Sequence, residues 1–252
     1  MRKREPGLQS LDRGLEILDL LAERAHTVED LSRRLRCPKS TTYRTLATLR
    51  RRSLVDRDAR QGRYRVGYGV LRFSRGLSGR SPLREAAVGT LRAIAADLRE
   101  TALLTVRTGN LGVVVESIES AEPVRVAPAL GESTPLHCGA PMKALLAFLP
   151  DDEIDAYLLR KLERLTPHSI ADPRRLRAHL AAIRQRGYAE SWEEVYPGAV
   201  GVAVPVLGGE RRPLASLGIG APVHRCSPQR VETVAQRLRQ AARELARRAR
   251  SA

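Results

Sequence analysis

The sequence has few cysteines and no long hydrophobic run, and these absences exclude several classes of protein. Its 252 residues include 3 cysteines, Cys37, Cys138 and Cys226, an odd number spread far apart along the chain. Such spacing is not a disulfide framework and favours a reducing compartment, which we expect to be the cytoplasm. No apolar run approaches the roughly 18–20 residues of a membrane-spanning helix. No hydrophobic stretch follows the basic start at 1–6, so we expect no secretory signal.

Recognisable catalytic motifs are also missing. The sequence contains no Gly-x-x-x-x-Gly-Lys-Ser/Thr phosphate loop, no Gly-x-Ser-x-Gly elbow and no His-Glu-x-x-His zinc motif. His137-Cys138 and His224-Arg-Cys226 offer metal-ligating side chains, but neither pair has the spacing of a structural zinc site. Glu193-Glu194 is a carboxylate pair suited to acid–base catalysis, although adjacent acids in a polar loop are usually solvated. We therefore predict that the protein is not an enzyme and uses no metal or cofactor.

Positive charge is abundant, and most of the excess lies in the first third of the chain. The formal net charge is +16, and residues 1–80 hold 20 basic and 9 acidic side chains against 24 and 19 in residues 81–252. Arginine supplies 40 of the 44 basic residues, which a coding bias explains. Such a bias does not explain where the charges lie. The asymmetry predicts a polyanion-binding module joined to a nearly neutral domain, with nucleic acid favoured over a membrane surface.

The apolar pattern of this module predicts three helices. Leucines at 8, 11, 15, 18 and 21 recur at three- and four-residue steps, which predicts an amphipathic helix packed by that face. Thr27–Asp30 resembles a capping box at the start of a second helix. Cys37-Pro38 interrupts the chain, and a third helix is predicted from Lys39 to about Arg52, with Thr42, Leu46 and Leu49 on its packed face.

A basic hairpin is predicted after the third helix. Two strands, 54–58 and 63–67, flank a turn at 59–62 in which Gly62 takes a positive φ. Two short helices followed by a basic hairpin predict a winged helix-turn-helix, whose second helix enters the major groove of DNA. Hydroxyls and free N–H groups at the helix start suit phosphates, and arginine suits guanine. The candidate DNA-binding residues are Lys39, Ser40, Thr41, Thr42, Tyr43, Arg44, Thr45, Thr48, Arg51, Arg63 and Arg65.

Several motifs in this order resemble those of the IclR family of bacterial transcriptional regulators. In the first module they are 10–18, 35–46 and 64–67, and the Pro-Lys-Ser-Thr-x-x-Arg run at 38–44 is the most specific. The resemblance continues through Thr134-Pro-Leu-His, Lys143-Ala-Leu-Leu-Ala, Arg186-Gly-Tyr, Glu193-Glu and Ala203-Val-Pro-Val. It implies a dimer or a dimer of dimers that binds a near-palindromic double-stranded operator. It also implies a C-terminal domain that binds a small-molecule effector, such as an organic or aromatic acid.

Residues beyond the first module alternate between predicted helices and strands, which indicates an α+β fold. Strands are predicted at 102–108, 111–118, 124–127, 199–207 and 214–220, and helices at 83–99, 142–149, 151–163, 173–186 and 228–249. The resemblance implies a GAF-like antiparallel sheet with flanking helices around a pocket. We expect a DNA-binding domain at 1–69, a linker helix within 70–82 and an effector-binding and oligomerisation domain at 83–252.

The helix start at Gly139–Lys143 is a candidate ligand site, because Pro141 suits the first turn and the N–H groups of Met142 and Lys143 would point outward. An ordinary helix start fits these residues equally well. The resemblance implies effector-binding positions at Leu136, Met142, Ser191, Ala199, Gly201, Gly218 and Gly220. Met142 replaces a residue that is usually small, and three glycines stand where Cys or Ser is frequent. These departures favour a less polar ligand, or one bound by backbone groups, or no effector at all.

Two other classes of function remain open from the sequence. The chain could be an enzyme that its basic N-terminal module brings to nucleic acid, although no catalytic constellation supports this. It could also be an architectural protein that binds DNA with little sequence preference. A regulator is distinguished from the latter by a large specificity ratio at fixed salt. We predict a sequence-specific transcriptional regulator.

Overall fold

The computed structural model describes residues 8–75 and 82–251, and the chain divides into two compact units, Met1–Arg80 and Ser81–Ala252. In the N-terminal unit the elements are α1 (Gln9–Glu23), α2 (Val28–Arg34), α3 (Lys39–Arg51), β1 (Val55–Arg57), β2 (Tyr64–Val66) and α4 (Leu71–Arg75). A 3₁₀ turn at Tyr68–Val70 precedes α4. The remainder of the predicted linker helix, 76–81, lies outside the described residues.

The helix cap and the hairpin turn of the N-terminal unit form as predicted. The Thr27 hydroxyl accepts the Asp30 N–H at 3.2 Å, and the Asp30 carboxylate accepts the Thr27 N–H at 3.4 Å, which completes the capping box of α2. In the hairpin, the Asp58 carboxylate accepts two backbone N–H groups of the turn, and Gly62 has φ +65°. β1 and β2 pair antiparallel, with Val55 opposite Val66. The winged helix-turn-helix is therefore confirmed.

The leucine face predicted for α1 is wrong over its first half. Leu8, Leu11 and Leu15 are 73%, 58% and 52% exposed, and the buried face of the helix consists of Gly14, Ile17 and Leu21. A three-residue step covers ~300°, so a stripe built from such steps winds around the helix. Its C-terminal end reaches the core of the N-terminal unit, while its N-terminal end faces away from that core.

The C-terminal unit is built on one antiparallel sheet with helices on both faces. Its elements are α5 (Pro82–Leu98), β3 (Thr101–Thr108), β4 (Leu111–Ile118), β5 (Ser133–Pro135), α6 (Ala140–Leu146), α7 (Asp151–Leu158), α8 (Pro173–Arg186), β6 (Ala189–Trp192), β7 (Ala199–Leu207), β8 (Pro213–Pro222) and α9 (Pro228–Ser251). The strand order is β5-β4-β3-β8-β7-β6. One face of the sheet packs against α5 and α9, and the other face packs against α6, with α7 and α8 in the same core.

In the C-terminal unit, one predicted strand does not form and two observed strands were not predicted. The run at 124–127 is not a strand: the Val124 side chain is exposed, and its carbonyl accepts a hydrogen bond from Arg225 rather than from a neighbouring strand. The edge strands β5 and β6 were not predicted, because both are short and lie next to loop-like sequence.

Among the described residues, no helix is both long and apolar enough to span a membrane.

Candidate nucleic-acid interface and ligand cavity

Helix α3 presents most of the predicted DNA-binding residues on its outward side. Ser40, Tyr43, Arg44, Thr48 and Arg51 are exposed. The Thr48 hydroxyl donates to the Arg44 carbonyl at 3.1 Å and accepts from an Arg51 guanidinium N–H at 3.4 Å, so these side chains form one surface. The Arg44 guanidinium has no hydrogen-bond or ionic partner in the described part of the chain. It is therefore available to a base edge.

Thr42 belongs to the core of the N-terminal unit and not to this surface. It is 1% exposed, and its hydroxyl lies 3.2 Å from the Cys37 sulfur and 3.4 Å from the Pro38 carbonyl. Thr42 precedes Leu46 by four residues, so both side chains lie on the packed face of α3. The inclusion of Thr42 among the DNA-binding residues is therefore wrong.

The start of α3 offers free backbone donors. The helix follows Pro38, which supplies no side-chain cap, and the first helical bonds run from the Thr41 and Thr42 N–H groups to the Pro38 carbonyl. The N–H groups of Lys39 and Ser40 precede these bonds and have no helical acceptor. Lys39 itself forms an ion pair with Glu29 at 2.8 Å, and the Thr45 hydroxyl donates to the Thr41 carbonyl. These free N–H groups at the helix start can donate hydrogen bonds to a phosphate oxygen.

The hairpin carries arginines on exposed positions. Arg63 and Arg65 are exposed, and Arg65 lies opposite Asp56 in the β1–β2 register. The Arg57 guanidinium lies over the ring of the buried Tyr64, 5.7 Å from its centroid. One side of the hairpin therefore packs against the core of the N-terminal unit, and the other side carries exposed arginines.

The C-terminal unit contains a cavity between the sheet, the start of α6 and the loop after β6, which we call the C-terminal cavity. Its apolar lining includes Leu103, Val114, Val126, Val195, Val200 and Ile219, and its polar lining includes Thr105, Glu132, Thr134, Ser191, Glu194 and Tyr196. The cavity volume is about 60 Å³.

Five of the seven predicted effector-binding residues line this cavity: Met142, Ser191, Ala199, Gly201 and Gly220. The other two are placed elsewhere. Leu136 is fully buried in the core formed with α6–α8. Gly218 lies against β7, where a Cβ atom would come within 2.9 Å of the Ala203 Cβ.

A buried ion pair lies beside the cavity and was not predicted from the sequence. The Lys143 side chain is 0% exposed, and its ammonium donates to the Glu194 carboxylate and lies 3.2 Å from His179 Nε2. The second oxygen of Glu194 accepts the Gly139 N–H at 3.1 Å. Glu194 therefore joins the loop after β6 to the start of α6. The only sequence signal was a lysine within the otherwise apolar run at 139–149.

Burial sets the ionisation of the groups around this pair. Desolvation lowers the pKa of the Lys143 ammonium, although the Glu194 carboxylate opposes the shift. Burial, followed by the charge of Lys143, lowers the pKa of His179 from 6.5 to about 4, so its imidazole is neutral and accepts from the ammonium. His137 Nε2 donates to the Glu163 carbonyl, its Nδ1 accepts from the Tyr157 hydroxyl, and burial lowers its pKa.

The contacts of Lys143 and His137 alter two of the predictions made from the sequence. The Lys143 N–H donates to the Gly139 carbonyl at 3.1 Å, so of the two predicted outward donors only that of Met142 precedes the helical bonds. His137 is engaged by Tyr157 and Glu163. Within the described residues, no group of three or more His, Cys, Asp or Glu side chains is arranged to hold a metal ion.

Two protein-family models match the chain. The helix-turn-helix domain of IclR matches residues 10–59, and the C-terminal domain of the bacterial transcriptional regulator IclR matches residues 77–247. The chain is 31% identical over 245 residues to the HTH-type transcriptional regulator XynR of Escherichia coli K12, covering 96% of this chain and 97% of XynR. It is 30% identical over 244 residues to the HTH-type transcriptional repressor AllR of Klebsiella pneumoniae, covering 96% of this chain and 90% of AllR.

A solved structure has the same fold. An IclR homologue from Microbacterium hydrocarbonoxydans, crystallised with 4-hydroxybenzoate, superimposes with a TM-score of 0.79 at 25% identity, covering 96% of this chain and 100% of that chain. Together the two family models span both units described above, and the curated relatives are named as regulators rather than enzymes. The chain therefore belongs to the IclR family of DNA-binding bacterial transcriptional regulators.

Proposed function

We propose that the protein is a repressor that binds a near-palindromic operator as a homodimer and responds to a small molecule in its C-terminal cavity. The observation that supports it best is the outward face of α3. There Arg44 is exposed and has no partner among the residues that the structure describes, and the helix start has free N–H groups. A repressor is favoured over an activator because the relative AllR is named as a repressor.

Each part of the N-terminal unit has a role in this proposal. Ser40 and Thr41 hold phosphates at the start of α3, Arg44 and Arg51 contact base edges, and the hairpin arginines Arg63 and Arg65 hold the backbone and so set the register. Two copies of α3 would then enter successive major grooves about one helical turn apart.

The exposed leucines of α1 support a homodimer. Leu8, Leu11 and Leu15 form an apolar stripe that nothing in the described N-terminal unit covers. A two-fold contact between copies of one helix stripe is self-complementary, which is the commonest symmetry of oligomers. Pairing through α1 would bring two copies of α3 into one complex and so match a near-palindromic site.

The C-terminal cavity supports an effector site. It is a partly open cavity that combines a mainly apolar lining with a few polar groups, as small-molecule sites do. Ligand binding there would shift the population of dimers that can bind DNA. We place the DNA-binding domain at 1–69, the linker at 70–82 and the effector-binding and oligomerisation domain at 83–252. The division of the chain between Arg80 and Ser81 supports a boundary within this linker.

Selection of bound fragments from a random DNA pool tests this function. The expected result is enrichment of an inverted repeat whose half-sites are about 10 base pairs apart, centre to centre. A pool that binds with strong salt dependence but without enrichment would instead identify an architectural protein. The selected operator is then the reagent for every DNA-binding measurement below.

A further inference from the structure

The charges facing the C-terminal cavity restrict the kind of ligand it can take, an inference that rests on the cavity being the effector site. Glu132 and Glu194 both line it, and among the described residues no arginine, lysine or histidine does. An anionic ligand would therefore meet carboxylates as the charged groups that the described residues contribute to the lining. Like charges at short range oppose binding, and they do so more strongly beside an apolar, partly buried lining than in water.

The nearest buried cation balances the charge of Glu194 but supplies no surplus positive charge, so the charge of Glu132 remains uncompensated in the cavity lining that the structure describes. Lys143 is fully buried behind the lining, and its ammonium is engaged by the Glu194 carboxylate and by His179. An anion that attracted the ammonium would compete with Glu194 for it. Such competition would weaken the pairing of a buried carboxylate, which is costly.

The other carboxylate also has partners that hold it in place. Glu132 accepts the Ala129 N–H at 3.0 Å and the Tyr196 hydroxyl. These contacts fix the position of the carboxylate beside the cavity. Neither carboxylate is therefore free to turn away from a bound anion without losing hydrogen bonds.

The cavity does offer polar groups suited to an uncharged ligand. Thr105 is fully buried, lines the cavity, and its hydroxyl has no hydrogen-bond partner in the described part of the chain. A buried hydroxyl without a partner is destabilising, and a ligand oxygen or nitrogen would remove that penalty. The Ser191 hydroxyl also lines the cavity and is buried. A hydroxyl both donates and accepts, so it can pair with an alcohol, a carbonyl or an amide.

Met142 controls the size of the site. Its Cγ lies 2.6 Å from where a Cβ would stand on Gly112, and its Cε lies 2.8 Å from where a Cβ would stand on Gly139. The side chain therefore occupies the space that these two glycines leave open. The remaining 60 Å³ is smaller than the roughly 150 Å³ cavity that accepts benzene. Methionine has three rotatable side-chain bonds, so Met142 can turn aside for a ligand without a change in the backbone.

We propose that the cavity binds an uncharged, mainly apolar small molecule whose hydroxyl, carbonyl or amide group pairs with Thr105, and that the Met142 side chain turns aside to admit it. The Microbacterium homologue was crystallised with a carboxylate, so this ligand class sets the present chain apart from that relative.

Pairs of probes that differ in charge but not in shape test the proposal on the full-length protein. The pairs are 4-hydroxybenzamide with 4-hydroxybenzoate, benzamide with benzoate, and hexanamide with hexanoate. For at least one pair, calorimetric titration should show the amide binding at least about tenfold more tightly than the acid, which corresponds to about 1.4 kcal/mol. Tighter binding of the acids overturns the proposal, and so does the absence of binding by every amide.

Substitutions at Thr105 show whether the ligand occupies the proposed position. Thr105→Val keeps the shape of the side chain without its hydroxyl and should weaken amide binding about fivefold, whereas Thr105→Ser should retain it. Equal amide binding by the two variants overturns the assigned contact. A fluorescence spectrum of Trp192, the single tryptophan, that matches that of the unsubstituted protein shows that the C-terminal unit of each variant is folded.

Operator affinity with and without probe separates this inference from the proposed function. If the acids bind and alter operator affinity, the ligand class is wrong and the effector function stands. If the amides bind but operator affinity does not change, the ligand class stands and the effector function is wrong.

Discussion

Arg44 and Thr42 lie two residues apart on α3 and face opposite environments. The Arg44 side chain is exposed and without a partner in the described chain, whereas Thr42 is buried against Cys37 and Pro38. The helical period alone separates them, since a two-residue step is ~200°. The exposure of Arg44 supports the base contact proposed for it, whereas Thr42 has a packing role.

Arg44→Ala should weaken binding to the selected operator by about 1–3 kcal/mol and leave binding to random DNA much less affected, because a base contact is lost. Fluorescence anisotropy at one fixed salt concentration measures both affinities. Arg92→Ala, which removes an exposed arginine of α5, is the matched control and should change neither. An equal loss on both DNAs would assign Arg44 to the phosphate backbone instead.

Lys143 shows the opposite case, a charged residue that is held entirely inside the protein. Lys143→Met should lower the free energy of unfolding by about 3–5 kcal/mol, because it leaves Glu194 buried without its counter-ion. Urea unfolding followed by fluorescence of Trp192, the single tryptophan, reports on this unit.

The double variant Lys143→Met/Glu194→Gln supplies the control for that measurement. Glutamine removes the unpaired charge and still accepts the Gly139 N–H, so most of the lost stability should return. If the single variant lost less than about 1 kcal/mol, the pair would contribute little to stability.

At the scale of elements, α1 combines two faces with different partners. Gly14, Ile17 and Leu21 face the core of the N-terminal unit, and Leu8, Leu11 and Leu15 face outward. An isolated exposed leucine is ordinary, but three on one helical stripe form a patch that calls for a partner. A second copy of the chain is the partner that we propose for this patch.

Leu11→Lys/Leu15→Lys should raise the dissociation constant of the homodimer at least about tenfold, since each buried leucine contributes ~1.5–3 kcal/mol. Sedimentation equilibrium measures the change. The folded N-terminal unit should survive, because both side chains are exposed. Leu159→Lys, an exposed leucine after α7, is the control and should leave the association unchanged. A dimer unaffected by the double substitution would locate its contact elsewhere.

At the scale of the whole molecule, the stability of the C-terminal unit should depend on pH through its buried histidines. The pKa values of His137 and His179 are lowered in the folded state, that of His179 from 6.5 to about 4. Between pH 6.5 and about 4 the unfolded chain therefore binds more protons than the folded chain. The stabilisation from these neutral histidines is complete above pH 6.5 and is lost as the pH falls towards 4.

Melting temperatures at pH 7.5 and pH 5.0 test this dependence. The melting temperature of the His179→Gln variant should fall less on acidification than that of the unsubstituted protein, because glutamine does not take up the proton. His168→Gln alters a histidine whose ring is largely exposed and should behave like the unsubstituted protein. Identical pH dependence in all three proteins would contradict a role for His179.

The winged helix-turn-helix was determined by the sequence itself, because its signals act over a few residues. The Thr27–Asp30 cap, the break at Pro38, the helical period of α3 and the turn at Gly62 each depend on near neighbours. The same holds for the long strands β7 and β8 and for the helix α9, whose patterns are long enough to be recognised.

Tertiary structure alone decided which apolar faces are covered and which charges meet. Lys143 and Glu194 are 51 residues apart, and nothing in either local sequence predicts that they pair. The leucine pattern of α1 predicted that the segment is helical but not which side of the helix packs against the core. The carboxylate walls of the C-terminal cavity likewise combine residues from separate loops and strands. Such contacts arise only when distant segments pack together, so local patterns cannot encode them.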